Sequence, residues 1–81
     1  MSIDEKQIDR LAALVALLER LTTILAAQSY MHELQIQQLD GRATITGETM
    51  KLYVGVIEDP TSAKVLSFIQ HVVKTYYPEE T

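Results

Sequence analysis

The sequence predicts an α+β fold: a long N-terminal amphipathic helix, a three-stranded antiparallel meander and a C-terminal helix (α-β-β-β-α), with both helices on one sheet face. Three observations carry that reading. Apolar residues recur at helical spacing from Ile8 to Leu25. Two dipeptides of hairpin chemistry, Asp40-Gly41 and Gly47-Glu48, punctuate a stretch whose apolar residues alternate. Asp59-Pro60 then opens a second helical pattern. With 81 residues, 47% apolar and 22% charged, the chain (1–81) is read as a single small domain, near the size where one core is barely sufficient.

The first helix is placed at about residues 4–29. Ser2 or Asp4 can cap it, and the acids Asp4 and Glu5 stand where the helix dipole favours them. Leu11, Leu14, Val15, Leu18, Leu21 and Leu25 form the apolar stripe, widened by Ile8 on one flank and by Leu17 and Ile24 on the other. Asp9, Glu19, Arg20 and Thr23 take the remaining face. Residues 11–27 are the one candidate membrane span, but the segment is slightly short and carries Glu19 and Arg20 in its middle, so no membrane role is expected. An interfacial helix would want more cations than Arg10 and Arg20 on its polar face.

Strands are expected at about residues 33–39, 42–47 and 49–57. With turns at Asp40-Gly41 and Gly47-Glu48, Leu34, Ile36, Ala43, Ile45, Met50, Leu52, Val54 and Val56 share one face. Arg42, Lys51 and Tyr53 share the other, where they make a candidate recognition surface, tyrosine being favoured at interface hot spots. Gln38, opposite Ala43, is the misfit. The alternative is a helix running to about Leu39, then one β-hairpin, then the C-terminal helix.

The last helix is placed at about residues 60–76, capped by Asp59 with Pro60 in its first turn. Val65, Leu66, Phe68, Ile69, Val72, Val73 and Tyr76 form its apolar face, while Lys64, Ser67, Gln70, His71 and Lys74 face away. Tyr76 and Tyr77 are expected to close the core, and residues 78–81 to fray.

No constellation carries chemistry. There is no cysteine, and His32 and His71 are the only histidines, neither with a partner at metal-ligand spacing. Both are read as exposed. Glu58 and Asp59 are adjacent, and adjacent side chains seldom converge on one substrate. The serines lack a nucleophile-elbow context, and Gly41, Gly47 and Gly55 are too dispersed for a phosphate loop. Gly55, in a predicted strand, is read as a bulge or a close backbone approach. No catalytic residue, metal or cofactor is therefore expected.

Net charge −4 with scattered cations disfavours nucleic acid as a partner. What the sequence does point to is a second copy. A helix over residues 4–29 spans roughly 39 Å, whereas a strand of six or seven residues spans roughly 20 Å. Much of the apolar stripe therefore overhangs the sheet. Ile8, Leu11, Leu14, Val15, Leu17, Leu18 and Leu21 are the expected oligomer interface of a homodimer or higher assembly.

The resulting expectation is a small acidic, cytoplasmic, non-enzymatic interaction module (adaptor, inhibitor or regulator) that binds itself and another protein. Three other readings stand behind it. One is nucleic-acid binding, by topological analogy with the helix–three strands–helix order of double-stranded-RNA-binding domains. Another, a minor variant, is an acidic mimic of DNA. The third is an enzyme or small-ligand site formed across the oligomer interface.

Overall fold

A computed structural model describes residues 4–80, without the side chain of residue 80. It is all-helical. Helix α1 spans Glu5–Leu39, α2 spans Gly47–Glu58 and α3 spans Ser62–Tyr76, followed by one 3-10 turn at Pro78–Glu80. No strand occurs among the described residues, so the meander and the α+β class are overturned. The alternative fails too: α1 ends at Leu39, as that alternative placed it, but the expected hairpin is α2.

Each overturned element has a local cause. Asp40-Gly41 is a helix stop, not a hairpin turn. The Arg42 amide donates to the Gln37 carbonyl at 2.8 Å and the Gly41 amide to Gln38 at 3.1 Å, the paired bonds of a Schellman cap. Gly41 has φ +73°, and a hairpin turn would have required the same left-handed glycine. Gln38, misplaced in the meander, accepts from the Ile45 amide at 2.8 Å and so ties down the connection to α2.

Gly47-Glu48 is likewise not a turn but the first turn of α2. The Thr46 hydroxyl accepts from the Thr49 amide at 3.2 Å and caps that helix. Asp59 does not cap α3. It closes α2, its amide donating to the Gly55 carbonyl at 3.1 Å, and its carboxylate lies 3.2 Å from Lys64. Thr61 caps α3 instead, accepting from the Lys64 amide. At the other end of the chain Asp4 caps α1 in a capping box with Gln7; Ser2 lies outside the described residues.

The C-terminal half of α1 packs against α2 and α3. Ala27, Met31, Leu34, Val56, Phe68 and Val72 are buried, with Tyr30, Ile45, Leu52, Tyr53, Val65, Ile69, Tyr76 and Tyr77 packed around them. The rings of Phe68 and Tyr53 meet at a centroid distance of 5.7 Å, tilted by 45°. Gly55 is an ordinary helical position with nothing within 4 Å of where a Cβ would stand, so neither a bulge nor a close approach exists there.

The molecule measures 58 × 22 × 21 Å with a radius of gyration of 16.8 Å. A compact domain of this length would have a radius near 12 Å. The excess is the first half of α1, which leaves the three-helix body and continues alone.

Candidate functional site: the projecting arm of the first helix

Every residue from 4 to 22 is exposed. The helical arm over residues 5–22 is thus about 27 Å of unsupported helix. Its large apolar side chains stand in solvent: Ile8 54%, Leu11 54%, Leu14 55%, Val15 54%, Leu17 52%, Leu18 61% and Leu21 45%. These are the seven residues expected as an oligomer interface, and the structure brings them together on one rod clear of the body. Leu25, at 62%, extends the row.

Five of these residues (Leu11, Leu14, Leu18, Leu21, Leu25) alternate spacings of three and four, the heptad signature of a coiled-coil seam. On an ideal helix the seam is centred about 155° around the axis from the body-facing row Ala27, Met31 and Leu34. One helix thus carries two apolar stripes on nearly opposite sides. The first faces the body, and the second faces away from it. Thr22 and Thr23 return their hydroxyls to the carbonyls of Leu18 at 2.8 Å and Glu19 at 2.9 Å, so neither leaves a free donor on the arm. From 11 to 18 no side chain is polar, because Ala12, Ala13 and Ala16 fill the face opposite the seam.

By length and composition α1 is also able to cross a membrane, with a mean hydropathy of 1.5 over its most apolar window. Only 6% of that window is buried, unlike the core helix of a soluble domain.

The other sequence candidates scatter. Tyr53 is half-buried against Phe68, not displayed on a strand. Arg42, in the connection after α1, pairs with Asp40 at 3.0 Å in the open, and Lys51 is exposed on α2. The sheet face that was to join these three residues does not exist.

His71 does not face away. It is half-buried, with Nε2 2.8 Å from the hydroxyl of Thr49, a fully buried residue. That hydroxyl also meets the hydroxyls of Thr46 at 2.9 Å and Tyr76 at 2.9 Å, and Tyr76 donates to the Thr44 carbonyl at 3.1 Å. The knot joins the start of α2 to the end of α3, and sequence reasoning missed it. Its one legible trace was Thr49, which lies i, i+3, i+4 and i+7 with Leu52, Tyr53 and Val56.

His32 is exposed, as expected. A surface depression of about 330 Å³ between α1 and α3 is lined by Ser29, Tyr30, Glu33, Val73 and Tyr77. It gathers one carboxylate and no cation. Among the described residues no cluster of three His, Cys, Asp or Glu could hold a metal ion. The chain matches no family model, and no curated protein or solved structure resembles it closely enough to lend it a function.

Proposed function

We propose that this chain is a small acidic, non-enzymatic interaction module that self-associates through the arm of α1 and presents its three-helix body to a protein partner as adaptor, inhibitor or regulator. One observation carries the reading: eight large apolar residues from Ile8 to Leu25 stand 45–62% exposed on a helix that nothing else supports. Burying the remaining half of each is worth about 6–12 kcal/mol per chain, against an association cost of about 4–15 kcal/mol for the complex. Each further chain brings that gain again, so association wins when the whole stripe is covered. The arm continues a helix already nucleated in the body, and covering its apolar stripe adds to a helicity that propagation alone leaves partial.

A cytoplasmic, soluble assembly is favoured over a membrane span on magnitudes. The eight large apolar residues of 11–27 gain about 2–5 kcal/mol on insertion, while a charge near mid-span costs about 2.5–3.5 kcal/mol, and Glu19 and Arg20 bring two. The helix–sheet–helix analogy that supported nucleic-acid binding goes with the sheet.

Sedimentation equilibrium at micromolar concentration tests the proposal. An assembly larger than one chain is expected, and a monomer would remove its support. Leu14→Glu combined with Leu18→Glu should raise the dissociation constant by at least ~10²-fold, since each chain loses two seam leucines worth about 1.5–3 kcal/mol apiece when fully buried.

A further inference from the structure

We infer that the arms assemble as a bundle of four helices, so that the protein is a tetramer and not a two-stranded coiled coil. The inference rests on the self-association proposed above and concerns its number. Around an ideal helix the exposed apolar residues run from Ile8 and Val15, through the five-leucine seam, to Leu17, an arc of about 180°. A two-stranded seam needs only the narrower a/d stripe, and its flanks usually carry Glu or Lys. Here the flanks are Ile8 and Val15 on one side and, after Arg10 at the N-terminal end, Leu17 on the other, these three apolar residues 52–54% exposed. From Leu11 to Leu25 the one polar residue in the arc is Thr22, whose hydroxyl is turned back onto the Leu18 carbonyl. A helix that is apolar over half its circumference needs neighbours on two sides, as each helix of a four-helix bundle has.

The occupants are further copies of this chain. The seam is self-complementary: a copy laid end for end about Leu18 sets Leu11 against Leu25, and Leu14 and Val15 against Leu21 and Thr22. That is the property a two-fold contact requires, and pairs of such pairs make the commonest tetramers. The body does not obstruct them, because it packs on the opposite side of α1. Between Ile8 and Leu25 the arc carries a single charge, Arg10 near its N-terminal end, and no run of charge that would select a different partner.

Light scattering on the eluting protein, with native mass spectrometry, decides the number. A mass of four chains, about 36 kDa, is expected. A dimer or trimer would overturn the tetramer while leaving self-association intact, and a monomer would overturn both. The triple variant Ile8→Gln, Val15→Gln, Leu17→Gln keeps the leucine seam, alters only exposed residues and uses a good helix former. Its mass should fall to that of a dimer; an unchanged tetramer would show that the flanks play no part and would sink the inference.

Discussion

Thr49 is the residue on which the body's polar chemistry converges. Four contacts link the hydroxyls of Thr46, Thr49 and Tyr76, the His71 ring and the Thr44 carbonyl, and each needs one hydrogen. Three hydroxyls supply three hydrogens. His71 Nε2 must supply the fourth, which assigns the ring as a donor at Nε2, and Thr49 Oγ1 then donates once and accepts twice, its full capacity. Nitrogen-15 NMR of the imidazole should therefore report a proton on Nε2 when the ring is neutral; an Nδ1–H tautomer would break the scheme. Thr49→Val keeps the shape and removes the acceptor for Thr46 and His71. It should cost about 1–3 kcal/mol of stability, read from urea denaturation of an assembled sample at fixed concentration. The exposed pairs Arg42–Asp40 and Lys64–Asp59 contribute little by comparison, being open to solvent.

Two glycines separate the requirements of a helix end from those of a helix interior. Gly41 stops α1 with φ +73°, a conformation that strains any L side chain, so Gly41→Ala should destabilise by about 1 kcal/mol or more. Gly55 lies inside α2 in open space and does nothing that alanine could not. Gly55→Ala should raise stability by about 0.5–1 kcal/mol, and thermal melts of the two variants should move in opposite directions. The same element shows why the meander looked sound. Met50, Leu52, Val54 and Val56 alternate as a strand would, while Thr49, Leu52, Tyr53 and Val56 repeat as a helix would. Leu52 and Val56 satisfy both templates. The choice falls to Thr49, whose hydroxyl looks polar in the sequence but is wholly enclosed by partners from α3 and the preceding connection.

For the whole molecule the decisive quantity is how little of α1 its own body can cover. Among the described residues the core holds six buried apolar side chains, a small number, and the body by itself is correspondingly marginal. Arm helicity should thus depend on assembly. Far-ultraviolet circular dichroism should weaken on dilution below the dissociation constant, and Leu14→Glu with Leu18→Glu should show the weakened signal at every concentration. A signal independent of concentration across the range where mass changes would mean that the arm is helical without a partner.

By itself the sequence determined the local chemistry. A helix start capped at Ser2 or Asp4, the apolar stripe from Ile8 to Leu25 and a helix through Phe68 and Val72 follow from spacing and from groups within a few residues of one another; the structure selects Asp4 and adds the box with Gln7. The apolar row of the arm, exposed in the structure, was legible in the same way. Tertiary structure decided whether residues 30–57 became strand or helix, because that stretch fits both periods and its turn residues serve both outcomes. Burial of Met31 and Leu34 beneath α2 and α3 and enclosure of the Thr49 hydroxyl break the tie, and those partners lie some 20 to 40 residues away along the chain. Tertiary structure also decided which stripe of α1 meets the body: Met31 and Leu34 pack beneath α2 and α3, and the leucine seam on the far side of the same rod is left exposed, because the body covers one side of the helix and not the other.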